Sequence, residues 1–150
     1  MRTQFCAVVA LLLALTGAGR TALAQGAACA KSDFEAGVNA AGAALRDLAQ
    51  QNTPMFQAKL RELKDKRSWT NDEFVKQAEP LVRDETIAGF DKKSEELVAR
   101  ITGGGGRSDS EPAPDCAVLT GLQADLKLLV ETQQAKWTHM LAKVQQELGK

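Results

Sequence analysis

Between residues 119 and 144 the core-type positions never leave a spacing of three or four. They are Leu119, Leu122, Leu126, Leu129, Trp137, Met140 and Val144, with Gln133 in the one polar place. That is the 3.6-residue period of a single helix face. No Pro interrupts the chain from Cys116 to its end. The pattern predicts one helix from about Asp115-Cys116 to about Leu148, roughly 50 Å long at about 1.5 Å per residue. A rod of that length in a chain of 150 residues must be flanked by other helices or project into an oligomer. The marks of hairpins, alternating β-branched runs and Asn-Gly turns, are absent throughout. The expected fold is therefore all-α: a helical bundle with a long C-terminal helix.

The remaining helices read as follows. Ser32 with Glu35 has the form of a capping box. A helix from about Asp33 to Gln51 carries Phe34, Val38, Ala41, Leu45 and Leu48 at helical spacing. Gly37, Gly42 and several Ala thin this stripe, which predicts close approach of a neighbouring backbone or room for a cavity. Asn52-Thr53-Pro54 reads as a break, with Pro54 opening a second helix to about Arg67. That helix turns Met55, Phe56, Leu60 and Leu63 inward and a heavily charged face outward. Ser68-Trp69 forms a short connection. Thr70-Asn71-Asp72-Glu73 is the clearest helix start in the chain, with a cap, a reciprocal Glu and two acids in the first turn. The helix it opens is expected to reach Ile101, and Pro80 within it should kink it or split it in two. Residues 102–115 (TGGGGRSDSEPAPD) read as a flexible Gly/Pro linker. The run is no phosphate loop, for it lacks the Gly-Lys-Ser/Thr ending and a preceding strand. The count is four helices, or five if Pro80 divides the third, in a single domain over residues 25–150.

The N-terminal residues read differently. Arg2, the apolar run Phe5–Leu15 and the small-x-small triplet Ala22-Leu23-Ala24 make a secretory signal peptide cleaved between Ala24 and Gln25. The run is too short to span a bilayer, which takes about 20 apolar residues. Its Ala/Leu-rich style is bacterial, so the product is expected in the periplasm or secreted, with no integral membrane segment after cleavage. The whole chain balances 19 basic against 19 acidic residues, and cleavage removes Arg2 and Arg20, which leaves a slight acidic excess. That balance argues against a nucleic-acid partner, which calls for a basic excess.

Export also sets the reading of the three Cys. Cys6 leaves with the signal peptide. Cys29 and Cys116 remain, and in an oxidising compartment two cysteines read as one disulfide. Each precedes a long predicted helix, so the bond would clamp two helix starts at one end of the bundle. The chain-entropy model gives about 4.6 kcal/mol for a loop of this length, as an upper figure. Three alternatives compete: two buried thiols, a lipid anchor on Cys29, and a catalytic thiol. The lipid anchor lacks the usual preceding Leu, and the catalytic thiol lacks a base beside it.

No constellation for chemistry stands out. His139 is the one His; with Met55 on a facing helix it could ligate haem, but no Cys-x-x-Cys-His motif accompanies it. No metal or other cofactor is expected. The acid pairs Asp72/Glu73, Asp84/Glu85 and Glu95/Glu96 point about 100° apart on a helix and read as solvated faces. Arg46, Arg83 and Arg100 would serve an anionic metabolite only if they turned inward together. Trp137 lies on the apolar stripe. Trp69 is either a lid over the bundle end or an exposed contact for a partner. The leading expectation is a non-enzymatic, chaperone- or adaptor-like exported protein that binds another protein or assembles with itself. Behind it stand a small-ligand or haem carrier with an inter-helix cavity, and a small helical enzyme acting on an anionic metabolite.

Overall fold

The computed structural model describes residues 29–105 and 116–150. The expected signal peptide, its expected cleavage site at Ala24-Gln25 and residues 106–115 of the expected linker lie outside them. Among the described residues the fold is all-α, with four helices and no strand: α1 (Lys31–Lys66), α2 (Asn71–Val82), α3 (Glu85–Gly105) and α4 (Cys116–Gly149).

Helix α1 is one helix of 36 residues, where the sequence suggested two. The break expected at Asn52-Thr53-Pro54 does not occur. Pro54 removes one hydrogen bond, but both Pro54 and Gln50, whose carbonyl loses its donor, are exposed to water. Asn52, rather than ending the helix, folds its side-chain amide back onto the carbonyl of Leu48 at 2.8 Å. The apolar stripe keeps its phase across the junction, so Ala41, Phe56 and Leu63 are all buried on one side. The N-terminus also differs from expectation. The helix starts at Lys31, and Asp33 rather than Glu35 reaches back, accepting the N–H of Ala30 at 3.1 Å.

The C-terminus of α1 closes in a Schellman turn. Trp69 donates its N–H to Lys64 and Ser68 to Asp65, both at 3.0 Å. Ser68 takes the left-handed conformation this turn requires, with φ 53°. Thr70 then caps α2 as its sequence foretells. Glu73 donates its N–H to Thr70 Oγ1 at 3.3 Å and accepts the N–H of Thr70 at 2.8 Å.

The long third helix of the sequence reading is two helices. The split does not fall at Pro80, which lies inside α2, but after Val82. Arg83 is extended (φ −142°, ψ 112°), and Asp84 Oδ1 accepts the N–H of Ile87 at 2.7 Å, capping α3. At its other end α3 runs through Thr102 to Gly105, so the first residues of the expected linker are helical. Thr102 Oγ1 donates to the carbonyl of Val98 at 2.9 Å and ties that last turn together.

Helix α4 lies in the middle. It packs along α1 on one side and α3 on the other, while α1 and α3 barely meet. Helix α1 runs parallel to α4: Cys29 pairs with Cys116, Phe56 with Trp137 and Lys66 with the carbonyl of Leu148. Helix α3 runs antiparallel, so its later residues meet earlier residues of α4. Arg100 bonds Asp125, Ser94 bonds Gln133, and Asp91 bonds Lys136. A core cluster gathers at one end: Phe56, Leu63, Leu81, Ile87, Met140, Val144 and Leu148, with Trp69 and Trp137 half-buried against it. Outside it Leu97 of α3 and Leu119, Leu126 and Leu129 of α4 are also buried. Burial on two flanks explains why α4, unlike a surface helix, spreads its apolar residues around much of its circumference. No helix among the described residues is long and apolar enough to cross a membrane.

Candidate functional site

Two features of the surface hold arrangements beyond plain core packing: a groove between α1 and α4, and a polar cluster where α2 meets α3.

The groove has a volume of about 410 Å³. Its α1 wall is Gly37, Ala40, Ala41 and Ala44, one flank of the helix by their spacing of three and four. Its α4 wall includes Leu126 and Val130. The short side chains of α1 open the space. They do not, as the sequence reading allowed, draw a neighbouring backbone in. A Cβ on Gly37 would meet only side-chain atoms, Gln123 Cγ at 3.8 Å and Leu126 Cδ1 at 3.9 Å, which is ordinary contact. The charged residues at the rim, Lys127 and Glu131, are partners one helical turn apart at 3.8 Å. The groove is thus apolar, shallow and without unpaired charge from its own lining.

The second feature centres on Asp84. Its carboxylate accepts from His139 Nε2 at 2.9 Å, from Lys143 Nζ at 2.5 Å and from the Ile87 N–H at 2.7 Å. Lys143 also donates to the carbonyl of Pro80, in the last turn of α2. Phe90 lays its edge against the His139 ring, with centroids 6.4 Å apart. The bonds from His139, Lys143 and the Ile87 amide hold the Asp84 carboxyl well below the usual carboxylate range. The sequence reading took Asp84 for part of a solvated face. It is a half-buried hub instead, and the signal missed was an Asp directly before Glu85 at a helix start. The cluster ties the end of α2 and the start of α3 to α4, for Lys143 reaches both the Pro80 carbonyl and Asp84 while His139 bonds Asp84.

The other candidates fall as follows. Cys29 and Cys116 are joined by a disulfide, with Cα atoms 5.1 Å apart, and clamp the starts of α1 and α4. Trp69 is half-buried against the core. Trp137 meets the edge of Phe56 at 6.1 Å between centroids. His139 faces Asp84 and α3, whereas Met55 is exposed on α1, on the other side of α4. Arg100 is bound by Asp125 through two bonds of 2.9 and 3.1 Å, and Arg83 pairs with Glu79 at 3.6 Å. Arg46 is exposed on α1, so the three arginines do not converge. Among the described residues no group of three or more His, Cys, Asp or Glu side chains is placed to hold a metal ion. Comparison with known proteins brings no relative: no family model, no curated protein and no solved structure matches the chain.

Proposed function

We propose that the protein is an exported, non-enzymatic helical protein that binds the uncharged apolar ridge of another helix in the groove between α1 and α4. The observation that carries this reading is the groove itself, walled by Gly37, Ala40, Ala41 and Ala44 against Leu126 and Val130. Short side chains on one wall and branched ones on the other suit a helix that lays its ridge between them. The self-paired Lys127–Glu131 rim favours a partner without charge at the contact. The apolar run Phe5–Leu15 and the Ala22-Leu23-Ala24 triplet support export to the periplasm or beyond.

A photo-crosslinking residue at Ala40 tests the reading, with a second one at exposed Val98 as control. Capture through residue 40 of one defined partner helix, abolished by Ala44→Glu, is the expected result. Equal capture at both sites, or capture that survives Ala44→Glu in a folded protein, overturns it. A second copy of the chain is one provider of such a helix, and light scattering identifies it by mass.

The same groove favours a second reading. A small apolar ligand would fit a space of this size. Mass spectrometry of the native protein against its denatured mass distinguishes a carried small molecule from a docked helix. The arrangement of His139 and Met55 on opposite sides of α4 gives haem no axial pair from these two residues.

A further inference from the structure

We propose that the Cys29–Cys116 disulfide is a redox latch for the α1/α4 groove: a dithiol that reduces it frees the first half of α1 from α4. The inference rests on the groove being the docking surface, and it adds how that surface is controlled.

Three observations carry it. First, the two cysteines sit at the starts of the two helices that wall the groove, and both are only half-buried, so a reductant can reach them. Second, between Lys31 and Leu48 only Ala41 of α1 is buried, and the larger apolar side chains Phe34, Leu45 and Leu48 are half-buried. Val38 in the same stretch is 46% exposed, and Gly37 has no side chain to offer. Third, the side chains of Lys59 and Lys66, in the last third of α1, and of Arg67 just after it bond α4. The large core residues of α1, Phe56 and Leu63, lie in that third too. The half of α1 that walls the groove therefore leans on the covalent link more than the half that carries the core does.

The exchange is balanced. A thiolate of the incoming dithiol attacks one sulfur of the Cys29–Cys116 bond, and the other leaves as a thiolate. The second thiol of the reductant then attacks the mixed disulfide. Two electrons and two protons pass to Cys29 and Cys116, and the reductant departs as its disulfide.

Amide hydrogen exchange on the folded chain, oxidised and after reduction and alkylation, tests the latch. On reduction, amides in residues 31–48 should exchange within tenfold of the unprotected rate, while residues 56–66 and 137–148 stay protected by more than that. Exchange at the unprotected rate along the whole chain would make the bond a global staple and overturn the proposal. So would protection in residues 31–48 that still equals that of the core end. Cross-linking from Ala40 in both redox states separates this idea from the docking reading. Capture by the oxidised protein alone supports both. Equal capture in both states overturns the latch and leaves the docking site standing. The expected exchange pattern with no capture in either state leaves the latch standing and removes the docking reading.

Discussion

The two ends of the molecule are built by different means. At one end Phe56, Leu63, Leu81, Ile87, Met140, Val144 and Leu148 fill a core, with Leu63 and Val144 fully buried. The carbonyls at the end of α4 are closed there by side chains of α1, Arg67 reaching Glu147 at 3.0 Å and Lys66 reaching Leu148. At the other end the α1 wall is Gly and Ala against Leu126 and Val130 of α4, and the disulfide joins the two helix starts. One end relies on area removed from water; the other adds to a smaller buried area, with Leu119 and Leu126, a loop closed in the unfolded chain. The lesson is that a short-walled groove is kept open cheaply when a covalent bond, rather than packing, fixes its mouth.

The largest test of that contrast is reduction of the disulfide. It should lower the urea unfolding free energy by up to about 4.6 kcal/mol in the chain-entropy model. A loss below about 1 kcal/mol would show that packing alone holds both ends.

Next in size are two Leu→Ala substitutions. Leu63, with no exposed surface, should cost about 4 kcal/mol, and Leu119 at the stapled end, 8% exposed, about 2 kcal/mol. Equal costs by urea titration would break the distinction between the ends.

The pH dependence of the core end comes third. Asp84 is ionised and bonded in the folded protein, with its carboxyl pulled down by His139, Lys143 and the Ile87 amide. A depressed carboxyl contributes stability above its unfolded pKa, about 3.9, and that stability is lost as the pH falls from there toward the folded value. Asp84→Asn keeps an acceptor for the Ile87 N–H but loses the charge that His139 and Lys143 bond, and should lower Tm at pH 7 by about 3 °C. It should also flatten the fall of Tm below pH 4. A variant with the full acid dependence of the parent would place that dependence elsewhere.

The smallest effects are gains. Gly37→Ala should stabilise by about 1 kcal/mol through helix propensity, since the added methyl meets only ordinary contacts. Ser68→Gly should gain a similar amount, about 1 kcal/mol, by relieving the left-handed backbone at φ 53°. Gly37→Ala is also the sharper of the two. A loss in place of a gain would mean that the groove wall is tighter than its distances indicate.

What the sequence made legible were features whose cause is local or strictly periodic. Helix α4 followed from an unbroken 3–4 spacing, the α2 start from the Thr70–Glu73 box, and the Cys29–Cys116 bond from pairing under an exported reading. The errors arose where a local signal met a longer-range one. Pro54 is a strong breaker in isolation, yet one unpaired carbonyl facing water costs less than abandoning a stripe already in phase with α4. At Pro80 the same residue type did sit near a helix end, but Asp84, four residues on, restarts the chain and fixes the split. The partners that make Asp84 a hub, His139 and Lys143, lie 55 and 59 residues away and leave no trace in local pattern. The groove was half legible. The small residues of α1 suggested room, but only the place of α4 between α1 and α3 decides which flank stays open.

The central position of α4 has a further consequence, for the order of events in time. Helices α1, α2 and α3 make their main packing with α4 and little with one another. A chain emerging from its N-terminus therefore lacks the helix that completes the burial of Phe56, Leu63, Leu81 and Ile87 until the 34 residues of α4 have followed. The disulfide likewise can form only once α4 has begun and brought Cys116 beside Cys29.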